Sequence, residues 1–278
     1  MRKSLIGIIL LSIIIVGIAL PAGFSAQTDS KVITYGEATY NNAGYKSSVD
    51  NFFNQQAHVD AGNIEYKIIN ANQVNTVTGK SYNSNQILSS ALIDLSEQGS
   101  IKVTVDKSKI TTITAEMYIS ALKSAGITQG HAYVTSPVPA TGESALTGIM
   151  NCYEAVTDVE IPETVKEAAN EEIYTQAEII ETENVTADEL STLVDDVKET
   201  VQNENITDHT TIVNIIYNYT VNNNINLTNS SIENLATSIE GVQAVQGDVE
   251  SYTSQVTDIV GNNSGDFSID GLLSRFGL

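Results

Sequence analysis

Three short patterns place hydroxyls, amines and carboxylates at spacings that could do chemistry. Ser120-Ala-Leu-Lys123 has the Ser-x-x-Lys spacing in which an amine activates a hydroxyl nucleophile. No Lys-Thr-Gly or Ser-Asp-Asn element accompanies it, and the pair is expected on a solvent-facing helix surface. Gly142-Glu143-Ser144 begins a nucleophile elbow but continues Ala145-Leu146, without the second glycine. Glu116 and Glu143, near the loop at residues 137–142, would supply the paired acids of glycoside chemistry. His58, His131 and His209 stand apart in sequence, and Cys152 is the single cysteine, so no zinc spacing exists; each histidine is expected to be satisfied or exposed. Asp266 and Asp270 lie in the oxygen-rich run GNNSGDFSIDG, which lacks the regular acidic spacing of an EF-hand and reads as part of a flexible tail over residues 261–278. No catalytic residue, metal or cofactor is assigned from these patterns.

The remaining chemical feature is a turn. In HAYVTSPVPATGESALTGIMNCY, Pro137 and Pro139 lack amide donors and fix φ, so they end a strand over residues 131–135. Thr141 is then expected to cap a helix carrying Ala145, Leu146, Ile149 and Met150. Backbone amides at such a helix start can receive an anion, which makes Thr141, Gly142, Glu143 and Ser144 the candidate anion- or ligand-binding loop. The competing reading is an ordinary strand-turn-helix joint. Cys152, on the apolar side of that helix with Glu154 nearby, reads as a core residue rather than a reactive thiol.

The elements that must hold this loop alternate. Strands are expected over residues 31–35, 64–69, 87–95 and 101–105, with helical spacing over 45–55. Thr114 can cap a helix whose Met117, Ala121, Leu122 and Ala125 share one face, and Gly126 suits its end. The expected fold is α+β (or α/β): a mixed sheet with packed helices in the N-terminal region, over residues 27–160, followed by an all-α C-terminal region over 161–260. In the latter, Leu190, Leu193, Val194, Val197 and Val201 keep helical period, as do Ile212, Ile215, Ile216 and Tyr219, with Thr186 or Thr207 as caps. From Ile232 to Ile259 the apolar positions form a coiled-coil-like seam, weakened by Gly241 and Gly247, so that it is one long helix or two.

The run ITAEMYISALKSAGI, the following strand and SPVPATGESALTGIM resemble the signature of the DUF1002 family, a domain of unknown function. VITYGE, over residues 32–37, is similar to that family's first strand. The resemblance covers roughly residues 30 to 160 well and the helical remainder in general character, and implies a secreted or envelope protein; it carries no catalytic residues over to this chain.

Charge and leader bound the setting. Arg2 and Lys3 precede an apolar run over residues 5–20 and small residues before position 27, so 1–26 reads as a signal peptide or an uncleaved anchor. About 16 residues at about 1.5 Å reach about 24 Å, short of a hydrocarbon core of about 30 Å, which favours cleavage. The expected location is extracytoplasmic. Formal net charge is -21, concentrated after Glu154, and this field disfavours nucleic acid and anionic lipid as partners. Expected contacts are an envelope protein or self-association through the C-terminal helices, and a membrane only through residues 1–26 if uncleaved. Asn184, Asn205, Asn226, Asn229 and Asn262 begin acceptor triplets for N-glycosylation, and Asn218 does so inside a predicted helix, where it is a poor acceptor. Two functional classes follow: an exported, non-catalytic binding or interaction module, or an extracytoplasmic hydrolase using carboxylates near residues 137–142.

Overall fold

The computed structural model describes residues 30–97 and 99–263. The apolar leader, the Asp266 and Asp270 loop and nearly all of the expected tail lie outside the described residues. In chain order the elements are β1 (Lys31–Gly36), α1 (Glu37–Tyr40), α2 (Ala43–Gln56), β2 (Glu65–Ile69), α3 (Ala71–Thr78), β3 (Ser90–Asp94), β4 (Lys102–Val105), α4 (Ala115–Ser124), β5 (His131–Thr135) and α5 (Ser144–Thr157). Helices α6 (Glu163–Thr182), α7 (Ala187–Asn203), α8 (His209–Asn223), α9 (Asn229–Ala244) and α10 (Gln246–Asn263) complete them. The five strands form one mixed sheet in the order β2-β1-β3-β5-β4. Both outer pairings are parallel, β1 with β2 and β5 with β4, whereas β3 runs antiparallel to β1 and β5.

Alternation along the strands divides the sheet residues between two faces. Val32, Ala91, Ile93, Ala132 and Val134 enter the large core with α4 and α5, while Ile33, Tyr35, Leu92 and Tyr133 pack with Val49 and Phe53 of α2. Helix α5 approaches β1 closely because position 148 is glycine: a Cβ there would lie 2.6 Å from Thr34 Oγ1. Cys152 is buried at the same contact, and burial pushes its thiol up to about 12, which fits the core role read from sequence.

Two expected elements are corrected and one open alternative is decided. The strand expected from residue 87 starts at Ser90, because Ser84–Gln86 forms a 3-10 turn and the carbonyls of Ile87 and Leu88 accept bonds from Ala38 N and Thr39 Oγ1. Asp208, not Thr207, caps α8, accepting from Thr211 N at 2.8 Å. The seam from Ile232 is split at Val245, and its halves face different cores. Ile232, Leu235, Ala236 and Ile239 of α9 pack with α7 and α8, whereas Val249, Tyr252 and Val256 of α10 join the sheet's core.

Helix α6 connects those cores. Val165, Ala169, Ile173 and Ala177 belong to the first and Ile179 to the second, so the charge boundary near residue 161 is not a break in packing. Where α4, α6 and α7 meet, the expectation for Ser120 fails. Its hydroxyl is buried, 2.8 Å from Glu172 Oε1, 2.5 Å from Asp195 Oδ1 and 2.8 Å from Lys198 Nζ. Lys123, the other half of the Ser-x-x-Lys pattern, is exposed.

Candidate functional site

The loop after β5 is fixed by the segment that precedes α4. Thr111 N and Ile113 N donate to the carbonyls of Ala140 (2.9 Å) and Thr141 (3.1 Å), and Tyr118 donates its hydroxyl to Gly142 O at 2.6 Å. Gly142 holds φ +114°, a left-handed conformation, and an added Cβ would meet Ile110 Cγ2 at 2.7 Å and Tyr118 Oη at 2.8 Å. Thr141 does not cap the helix, contrary to expectation. Helix α5 begins at Ser144 after a helical Glu143 with no side-chain cap, and the Thr141 hydroxyl instead donates to the Glu143 carboxylate.

Glu143 therefore becomes the centre of the loop. Burial raises its pKa; the Thr141 hydroxyl and its own backbone amide pull it back, Glu181 pushes it up and Lys80 lowers it. Tyr82, Tyr118 and Tyr174 surround it, each with its phenol raised, first by burial and also by the Glu143 charge. The Tyr82 and Tyr174 rings lie 6.5 Å apart, with Lys80 Nζ 5.6 Å from the Tyr174 centroid. The Tyr174 hydroxyl is buried without a hydrogen bond of good geometry among the described residues. Tyr82 is held in place by Asn75 of α3, whose side chain accepts from Tyr82 N at 2.7 Å and donates to Tyr82 O at 3.0 Å. The acid partner expected for Glu143 is replaced: Glu116 is exposed on α4, and the carboxylate acting on Glu143 is Glu181 of α6. With a carboxylate already at the start of α5 and a second nearby, the loop disfavours an external anion. A neutral or cationic group is better matched to it.

His131 gathers a second cluster that sequence separation concealed. On the α2 side of the sheet its Nε2 is 2.8 Å from Thr104 Oγ1 of β4 and its Nδ1 2.9 Å from Glu97 Oε1. Tyr133 stacks on the imidazole at 4.1 Å and lies 3.0 Å from Nδ1 through its hydroxyl. Although burial alone would raise Glu97, bonds from His131 and Lys102 hold it below the usual carboxylate range. Parallel pairing of β4 with β5 makes this cluster, and no spacing within either strand announces it. His209 is likewise satisfied, bridging Glu240 (2.8 Å) and Glu233 (3.0 Å) of α9, and His58 occupies a left-handed turn at φ 52°.

A cleft of about 570 Å³ opens between α3, α5, α6 and β2, lined among others by Lys67, Gln73, Asn151, Glu154, Glu160 and Lys166. Lys166 is held by Glu154 at 2.8 Å, and Lys67 by Glu65 at 3.2 Å. Among the described residues no group of three or more His, Cys, Asp and Glu side chains is placed to hold a metal, and no helix is long and apolar enough to cross a membrane. Asn184, Asn205, Asn226 and Asn229 are exposed, as is Asn218 on α8; the Asn262 side chain lies outside the described residues.

A mixed five-stranded sheet flanked by helices and extended by a bundle that shares its central helix defines an α+β protein. The chain belongs to the family described as Protein of unknown function (DUF1002), whose model matches residues 35–259 and thus both halves of the fold. It is 40% identical over 92 residues to the "Uncharacterized protein YpuA" of Bacillus subtilis (strain 168), an alignment that takes in 33% of this chain and 31% of that protein. The matched segment is therefore under a third of that relative's length. No solved structure matches the chain.

Proposed function

We propose that the chain is an exported, non-catalytic binding module of the cell envelope that receives a neutral, hydroxyl-rich ligand beside Glu143. One observation carries this reading: a carboxyl with raised pKa, ringed by tyrosines, stands next to a buried Tyr174 hydroxyl whose contact with the Tyr82 hydroxyl falls short of good hydrogen-bond geometry. Buried polar groups are ordinarily satisfied, and a hydroxyl-bearing ligand would satisfy this one while packing against Tyr82. A protonated Glu143 donates to such a ligand, so affinity follows the neutral carboxyl. Because the pKa is raised from 4.5, binding is stronger at pH 5 and declines as pH rises through the carboxyl's own pKa. The test is calorimetric titration with neutral N-acetylglucosamine oligomers at pH 5 and pH 8, using the whole chain. Binding at pH 5 that weakens at pH 8 and is lost in Glu143→Ala and Tyr82→Ala is expected; no heat at either pH, or binding untouched by both substitutions, overturns the reading.

A second reading is an extracytoplasmic hydrolase, and the Thr104–His131–Glu97 order favours it over the loop carboxylates. Hydroxyl to Nε2 and Nδ1 to carboxylate is the connectivity by which an imidazole activates an acyl-transfer nucleophile. Turnover of p-nitrophenyl acetate that falls at least about 100-fold in both His131→Ala and Thr104→Val is its signature. Turnover that is absent from the parent chain, or equal in all three proteins, removes it.

A further inference from the structure

The outer edge of β2 is unusual in its residues. The strand is last in the sheet order, and among the described residues its backbone bonds to no strand besides β1. Such an edge is a template for another strand, and proteins generally blunt it. This edge is short and carries Lys67, yet it leaves apolar surface open, with Tyr66 touched from its own chain by the Tyr40 hydroxyl at 2.8 Å. Tyr66 and Ile68 are 45% and 38% exposed and account for two of the four large exposed apolar side chains among the described residues. Glu65 and Lys67, on the other face, are also exposed and form an ion pair with each other at 3.2 Å.

The order of these residues points to what covers them. Ile64-Glu65-Tyr66-Lys67-Ile68 reads the same in both directions by chemical type: apolar, charged, aromatic, oppositely charged, apolar. We infer that β2 pairs antiparallel with β2 of a second copy of this chain, across a two-fold axis at Tyr66. In that register Tyr66 meets the partner's Tyr66, Glu65 meets the partner's Lys67, Lys67 meets the partner's Glu65, and each Ile64 meets an Ile68 of the other copy. Every cross-strand pair is thus of a kind that stabilises antiparallel strands. Isologous contact requires this reciprocity: if residue i touches j, then j touches i. A shift of one residue sets Tyr66 against Lys67 and sends the isoleucines to opposite faces. Ile64 already has the extended backbone the pairing needs, with φ -92° and ψ 139°. The two sheets would become one of ten strands, with the cleft beside α3 opening along the joint. The sheet's other edge has no such complement, since Lys102 is the sole charge in β4.

The edge is short, so the pairing is a weak, concentration-dependent one. It is measured at physiological ionic strength, where the field of two strongly acidic chains is screened beyond about 8 Å. Sedimentation of the full chain, in mild detergent so that the apolar leader does not itself drive association, should show a monomer–dimer equilibrium. Lys67→Glu sets like charges opposite each other twice and weakens the dimer by about tenfold; adding Glu65→Lys restores it. Both side chains are exposed, so neither variant should disturb folding. In parallel, Tyr66→Cys places a thiol on the axis, where it should oxidise to a disulfide-linked dimer faster than a cysteine at exposed Asn223; Cys152 is buried and does not compete. A chain that stays monomeric at every concentration, a charge swap that fails to restore what Lys67→Glu removes, or a Tyr66→Cys rate no greater than at position 223 would each overturn the inference.

Discussion

At the scale of single residues, the interior holds more charge than an apolar core should. Lys198 Nζ lies 2.7–3.2 Å from Ser124 Oγ, Ser120 Oγ, Glu172 Oε1 and Ser120 O, four acceptors for three hydrogens. Glu172 is 1% exposed at its side chain and Lys198 16%, so the pair has left most of its water behind. Removing one partner of such a pair strands the other, at about 3–5 kcal/mol, whereas removing both is often nearly neutral. Lys198→Met should therefore cost about 3 kcal/mol in urea unfolding, and Glu172→Met with Lys198→Met should recover most of it. A single-variant loss under about 1 kcal/mol would show that the node is solvated and contributes as a surface pair does. Part of this node was open to sequence reading. Reading the Ser-x-x-Lys pair as one solvent-facing unit hid a signal that was present: Ser120 and Ser124 are four apart on the stripe of Met117 and Ala121, and Lys198 falls among Val194, Val197 and Val201, which is the inward period. Their meeting was not readable, because it depends on how α7 crosses α4.

At the scale of elements, legibility followed local signal strength. The strands at β1, β2 and β5 and the helix capped by Thr114 emerged from alternation and capping residues, and Thr186 closes a capping box with Glu189 on α7. Helices α1 and α3 did not, because they are short and polar; α3 has two buried side chains, Val74 and Val77, and its start is set by the reciprocal bonds of Asn70 and Gln73. Asparagine favours caps and turns, so an Asn-rich stretch hides a helix that is defined by its first turn. The start of α5 misled for a related reason. Thr141 is a good cap by type, but Gly142 turns left-handed beneath Tyr118 and delays the helix to Ser144, which moves the Thr141 hydroxyl onto Glu143. The candidate site was visible only as a loop; Lys80, Tyr82, Tyr174 and Glu181 reach it from α6 and from the segment after α3, at separations no motif spans. The palindromic edge of β2 was visible letter by letter, but its meaning required knowing that β2 ends the sheet.

At the scale of the molecule, the acidic half and the balanced half are not separate bodies. Helix α6 contributes side chains to both cores, and α10 returns from the bundle to pack Tyr252 and Val256 under the sheet, where the Tyr252 hydroxyl donates to Ala125 O. Glu183, at the end of α6, binds the start of α9 through Thr228 N at 2.9 Å, and the Ser231 and Thr228 hydroxyls hold its carboxyl below its usual range although burial alone would raise it. Loss of the bundle would therefore uncover α6 along its length and remove α10 from the sheet's core. One cooperative unfolding transition is expected on these contacts. Cys152 reports the first core, since its buried thiol reacts only when α5 leaves the sheet, while far-ultraviolet circular dichroism is weighted toward the helices that follow. Their urea midpoints should coincide, and both should rise together with added salt as self-repulsion in a chain of formal charge -21 is screened. Loss of a large part of the helical signal before Cys152 becomes reactive would mean that the charge boundary near residue 161 is also a boundary in stability, and that the packing across α6 is too weak to join the halves.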